Sequence, residues 1–292
     1  MPPGSVSAWP KSAGDARPAI YRGADKGADS TNRQKEMETM KLYKLTNARG
    51  YTREEHLNCL QWGKGIIHGA ASAVGQPLCT TGLMHCYLHK LVAVLCDCLD
   101  GNYGPDGRLW KCTGEGEFLS DGLQGGFCKF TSLEEVPLPK ITVDERVHWG
   151  ILCAMEVFDE ELFSNWAKGW VSANRQKNGA MQVIRTLGAY GYSHPKYTAA
   201  LAGYYAARAA VMVVRANADL DAFAGVEAGE FAADAATAAA EAAAIAGKDI
   251  DFGALAERAV EAEQLVEKSE DLCPQCGLTP YSCMCFAYRR RQ

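Results

Sequence analysis

From residue 40 onward, hydrophobic positions recur with two different periods, and the change near residue 140 divides the chain. Between 40 and 139, apolar and polar residues alternate in short runs separated by glycine-containing turns, the pattern of half-buried strands. Residues 41–46 (KLYKLT), 108–113 (RLWKCT) and 126–131 (GFCKFT) show it most clearly. Between them, 83–99 is a longer apolar run containing 91–95 (LVAVL). Periodicity alone does not separate a buried helix from a core strand here, but the length favours a helix ended by the 101–107 turn (GNYGPDG). The stretch 121–126 (DGLQGG) lacks the Lys-Ser/Thr of a phosphate-binding loop and reads as a hairpin connection.

After 136–139 (VPLP) the period becomes helical. Thr142 and Glu145 have the spacing of a capping box, in which the hydroxyl accepts from the Glu145 amide and the carboxylate accepts from the Thr142 amide. Val143, Val147, Ile151, Met155, Phe158, Leu162, Trp166 and Trp170 then follow three or four apart. One unbroken helix of that length would run about 40 Å and seal the N-terminal sheet. Beyond it alanine dominates, with 27 of the 64 residues from 199 to 262. Three helices are expected there, over 195–219, 220–246 and 251–270, with 247–249 (GKD) and a cap at Asp251 separating the last two. Alanine favours helix and lets axes approach, but it buries little area, so this half is expected to be marginally stable or to need a partner.

The pattern therefore predicts an α+β protein. A disordered extension over 1–39 precedes an α+β domain over 40–140. A connecting helix (141–175), an acidic alanine-rich helical region (176–271) and a zinc knuckle with a basic tail (272–292) follow. The first segment is rich in Gly, Pro, Ser and charge, too poor in apolar groups to offset its ordering entropy.

Charge sharpens this picture. The net value is −5, yet 216–272 holds 14 acidic and 3 basic residues, a balance of −11, which leaves +6 elsewhere. A face that negative repels phosphate, so the helical region is a poor coat for nucleic acid and a better surface for a basic or apolar protein partner. The first twenty residues contain no apolar signal core, and no uncharged apolar run approaches the roughly 20 residues needed to span a bilayer. No membrane partner is expected. Twelve cysteines then fit a reducing compartment, the cytoplasm, with thiols free or metal-bound.

The clearest chemistry lies near the C-terminus, where Cys273, Cys276, Cys283 and Cys285 form a C-x2-C and a C-x-C pair six residues apart. Four thiolates suit tetrahedral zinc, and Gly277 and Pro274 favour the tight turn that brings the first pair onto one ion. Such a site is structural, since it leaves no position open for water. A disulfide pair or four free thiols are the competing readings. Beside the knuckle, Phe286, Tyr288 and Arg289, Arg290 and Arg291 offer stacking groups and cations for a nucleic-acid contact. The plainer reading is a solvated basic terminus.

The N-terminal half holds weaker candidates. Cys79, His85, Cys86, His89, Cys96 and Cys98 lie within twenty residues. On a helix over 83–99, His85 and His89 would sit one turn apart and could share a metal. The plain reading is that the cysteines are small core residues. A Cys–His nucleophile would pair Cys79 or Cys86 with His68 or His85. Glu115 and Glu117 beside a strand, with His85, Tyr87 and Tyr43, are the residue types of NAD-dependent ADP-ribosyltransferases, though an E-x-E is more commonly a solvated strand end.

Residues 40–175 also resemble an uncharacterised family of tailed-phage and prophage proteins. The resemblance is carried by 41–46 (KLYKLT), 61–63 (QWG), His68, 78–79 (LC), 85–87 (HCY), 91–95 (LVAVL), 109–110 (LW), 121–123 (DGL), 136–139 (VPLP) and 142–147 (TVDERV). It implies a phage origin and the joining of such a domain to an alanine-rich helical tail. It implies no mechanism and assigns no catalytic residue. The leading expectation is a non-enzymatic interaction module with a structural zinc. A transferase in the N-terminal domain and a nucleic-acid contact at the C-terminus are the alternatives.

Overall fold

The computed structural model describes residues 40–268, apart from positions 53, 55–58, 71–77, 79–82, 98–100, 102, 173–176, 192, 195 and 219–222. The segments 1–39 and 269–292, and with them the expected disordered extension, zinc knuckle and basic tail, lie outside the described residues. Within 40–268 the mixed α+β expectation holds.

The sheet is organised by one long hairpin, β6 (Arg108–Ser120) and β7 (Gly125–Val136), whose turn at 121–124 lies within the connection expected at 121–126. Asp121 makes that turn, its Oδ1 accepting from the Leu123 and Gln124 amides at 3.0 and 2.8 Å, while Gly122 takes the positive φ of 86°. Both strands run further than the alternation predicts, and register shifts fall at Lys111/Cys112 and Glu115/Phe118. Gly116, with φ of 94°, lies within the second irregularity. β1 (Leu42–Thr46) pairs antiparallel with β6. β4 (Ile67–Gly69) and β5 (Met84–Cys86) share the other edge of β7. The short strands β2 (Tyr51–Thr52) and β3 (Leu60–Gln61) pair with each other.

Tyr87, just beyond β5, exchanges two backbone hydrogen bonds with Tyr43 of β1, at 2.8 and 2.9 Å. This bridge brings β5 back to β1, so β1, β6, β7 and β5 close into a ring. Leu42, Trp62, Met84, Cys86, Trp110, Cys112, Phe127 and Phe130 fill one core. The two indoles there are satisfied: Trp110 donates to the Thr46 hydroxyl at 3.2 Å and Trp62 to that of Thr52 at 3.1 Å.

The expected helix over 83–99 is corrected. The run divides into β5 and α1 (Lys90–Leu95), with His89 extended at the cap between them. What overrides helix formation is the pairing of Met84 with Phe127 and Cys86 with Gly125, far away in sequence. Gly126 allows that approach, since a Cβ there would lie 3.1 Å from Leu78 and 3.2 Å from Leu83.

The helix after residue 142 starts as expected. Glu145 N donates to the Thr142 hydroxyl at 3.1 Å and Thr142 N donates to the Glu145 carboxylate, a complete capping box. It does not run unbroken. α2 (Val143–Val157) ends at Phe158, which is extended, and α3 (Glu161–Val171) begins after the bend. Phe158 is buried by the bend, its ring 5.5 Å from Phe163 and 6.3 Å from Tyr190. Nor does α2 seal the sheet. It lies among α5 (Tyr197–Asn217), α6 (Ala224–Ala246) and α7 (Phe252–Lys268), whereas α1 packs between β1 and α7. α4 (Lys177–Leu187), which packs on α5, adds a fourth helix to the expected three. Residues 247–249 separate the last two helices and the Asp251 carboxylate caps α7 through the Ala254 amide at 2.9 Å, both as read from the sequence, and Gly247 ends α6 in the left-handed region.

Two polar contacts and a backbone-capping arginine fix α2 to its neighbours. Arg146 donates to the carbonyls of Val94 and Leu95, at 2.7 and 3.0 Å, closing the C-terminus of α1. Trp149 donates to the Phe252 carbonyl at 3.4 Å, and Lys248 donates to the Glu156 carboxylate at 3.0 Å. No helix among the described residues is long and apolar enough to cross a membrane.

Candidate functional site

The structure disperses the N-terminal candidates. His85 lies on β5 with its Nε2 2.6 Å from the Leu78 carbonyl. Cys86 follows it in the strand, so its side chain turns to the opposite face, where the buried thiol donates to the Gly125 carbonyl at 3.4 Å. His89 is not one helical turn from His85. It stands at the start of α1 with its Nε2 3.3 Å from the Glu257 carboxylate of α7. Cys96 is fully buried beyond the C-terminus of α1. His68 sits on β4 against the Trp62 ring, its Nε2 2.8 Å from the Gln61 carbonyl. Cys79 and Cys98 lie outside the described residues, as do Cys273, Cys276, Cys283, Cys285 and Phe286 to Arg291. Among the described residues no three His, Cys, Asp or Glu side chains group as a metal site would require.

The transferase constellation is only partly assembled: Tyr43 and Tyr87 are bridged, with His85 on the strand just before Tyr87, but Glu115 lies apart from them. Tyr43 faces Lys111 across the β1–β6 ladder, and Glu115 lies four residues further along β6, about 13 Å at the rise of a strand. Glu115 is exposed and paired with Lys129 at 2.7 Å. Tyr87 is buried against α1 and the helical core. The side chain of Glu117 is outside the described ones.

What the fold does assemble is a surface on α6. Its inner side is alanine, with Ala228, Ala232, Ala235, Ala236 and Ala239 fully or almost fully buried against α2 and α5. That contact fixes the rotation of the helix. Glu227, Glu230, Asp234 and Glu241 are left on the other side, at spacings of three, four and seven, one acidic stripe about four turns long. Exposed apolar groups bracket it: Phe223 (75% exposed) and Val226 at the start, Ile245 (63%) at the end. Arg208 of α5 lies beside the stripe with its guanidinium 4.0 Å over the Phe231 ring. Burial, with Glu230 adding to it and Arg208 opposing, pushes the Asp234 carboxyl up to about 6. The sequence shows the charge of this region; the period that puts four carboxylates on one face is legible there too, but only packing says which face is outward.

A cleft of about 360 Å³ opens where the tip of the β6–β7 hairpin meets the turn between α6 and α7. Gly122 faces Phe252 and the Ile250 carbonyl across it. No family model, curated protein or solved structure matches this chain. Function is therefore read from the acidic face and the cleft, and from no relative. The hairpin tip at 121–124 is more than 120 residues from the α6–α7 turn at 247–251 (124 to 247), so nothing in the chain read linearly brings the two halves of the cleft together.

Proposed function

We propose that this chain is a phage-encoded, non-enzymatic interaction module that offers the outer face of α6 to a basic protein partner. Its C-terminal cysteines, Cys273, Cys276, Cys283 and Cys285, would be clipped by a structural zinc ion. The observation that carries the reading is the stripe of Glu227, Glu230, Asp234 and Glu241 with exposed Phe223, Val226 and Ile245 at its ends. Carboxylates in a row steer and register a basic partner, and the apolar ends supply area to bury. A partner helix with Lys or Arg at the same spacing, and an apolar residue at either end, fits that arrangement.

The test compares the full chain with a Glu230→Lys/Glu241→Lys variant as baits in lysate from infected host cells, each captured at low and high salt. The expected result is one protein retained by the unaltered chain, released by salt and lost with the variant. Identical retention by both baits would overturn the reading. So would retention of nucleic acid in place of protein, which would move the binding function to Arg289, Arg290 and Arg291.

A further inference from the structure

The cleft at the hairpin tip has a chemistry that the acidic face does not share. Its walls are apolar: Leu88 from the β5–α1 connection, Phe118 from β6, Ile250 and Phe252 from the start of α7 and the turn before it. Phe118 is held in place by stacking on Phe127 at 4.8 Å, and Phe252 is buried. Two of the polar side chains on the rim are acidic, beside Ser120 and Lys248. Asp121 is fixed by the turn that its carboxylate makes, and Asp249 stands opposite in the α6–α7 turn.

Two further features set the sign of the charge that the cleft favours. The C-terminal end of α6 reaches it through Ala243 and Ala244, and a helix of 23 residues presents the negative pole of its dipole there. Lys248, the one basic residue on the rim, is turned to α2, where it donates to the Glu156 carbonyl and carboxylate. Two carboxylates and a helix C-terminus attract a cation, and the apolar walls need a body to bury. The volume lies at the small end of ligand pockets, enough for a compact molecule.

We propose that this cleft binds a small organic cation, an ammonium group carried on an apolar body. It does so independently of any partner on α6. Recognition is by charge at the rim and by burial between Phe118 and Phe252, and no covalent step is involved.

The test titrates the isotope-labelled full chain with three probes of one shape, phenethylammonium, phenethyl alcohol and 3-phenylpropionate, and follows amide shifts. The expected result is a saturable shift of Gly122, Lys248, Asp249 and Ile250 with the ammonium probe. Its affinity should exceed that of the alcohol by about tenfold, with the carboxylate weakest. Asp249→Asn should bring the ammonium and the alcohol close together. Ala244→Leu, which adds bulk to the cleft from the helix side at a partly exposed position, should abolish both shifts in a spectrum that stays dispersed. Equal affinity for the charged and neutral probes, shifts elsewhere, no shift at all, or a preference that survives Asp249→Asn would each overturn the proposal.

Discussion

Gly150 of α2 lies directly against the backbone of Ala232 on α6: a Cβ at Gly150 would stand 2.9 Å from both the Cα and the carbonyl oxygen of Ala232. The two helices approach as closely as their backbones allow, which is what small residues permit and larger ones prevent. Alanine therefore does more in this bundle than favour helix. It sets the distance at which α2, α5 and α6 pack, and the contact is made by main chain that cannot turn aside.

This fixes the sign of a substitution that propensity alone would get wrong. In an exposed helix Gly→Ala stabilises by about 1 kcal/mol. At Gly150 the added methyl meets backbone, and overpacking of this kind costs about 1–3 kcal/mol. Gly150→Ala is expected to be net destabilising and Gly150→Val more so, read as lowered urea midpoints with an unchanged slope. A midpoint that rises with Gly150→Ala would show that the helices move apart at little cost.

Asp234 makes stability depend on pH. Its folded value, about 6, lies above the ordinary carboxylate value because burial and Glu230 disfavour the charge more than Arg208 favours it. The folded chain thus holds a proton that the unfolded chain has already released. The stabilising effect of that proton is fully present below the unfolded value and is lost as pH rises through about 6. Asp234→Asn should raise stability at pH 7.5 and flatten the profile between pH 4 and 7, measured by urea unfolding across that range. A variant with the same profile as the unaltered chain would place the titration elsewhere.

How much of this was legible from the sequence depends on how far away each cause lies. The capping box at Thr142 and Glu145, the helix break at 247–249, the Asp251 cap and the Asp121 turn are all set by neighbours within a few residues, and all are readable. The strand at Met84–Cys86 was not, because Gly125 and Phe127 on β7 impose it. The bend at Phe158 was not, because its burial against Phe163 and Tyr190 outweighs the continuity of the apolar face. The acidic stripe was half readable: spacing gives the face, and α2 and α5 decide that it points outward. The cleft was not readable at all, since its walls come from segments that meet only in the folded chain.

The zinc proposal has a local consequence. The buried side of α7 is formed by Phe252, Leu255, Ala256 and Ala259, which pack into the main core well before the four cysteines. Native mass spectrometry is expected to find one zinc per chain, lost on substitution of Cys273 and Cys276 by serine. Removing the ion with a chelator should lower hydrogen-exchange protection only toward the C-terminal end of α7 and leave residues 252–259 protected. A metal content well under one per chain would remove the clip altogether. Loss of protection along the whole helix would mean that the ion holds the bundle and does not merely finish it.

Thiol reactivity separates the structural reading of the N-terminal cysteines from a nucleophilic one. Cys86, Cys96, Cys112 and Cys153 are buried. Desolvation, only partly offset by Lys44, raises the Cys112 thiol to about 12, and burial pushes Cys153 well up. A nucleophilic cysteine needs the reverse, a depressed value and access to solvent. Brief alkylation of the native chain at pH 7.5, read by peptide mass spectrometry, should label Cys59 and Cys128, which are only half-buried, ahead of the four buried thiols. The buried set should react only as fast as the chain unfolds, and urea should raise their labelling in step with the loss of helix. Rapid labelling of Cys86 in the folded protein would contradict its place against the Gly125 carbonyl and would reopen its pairing with a histidine.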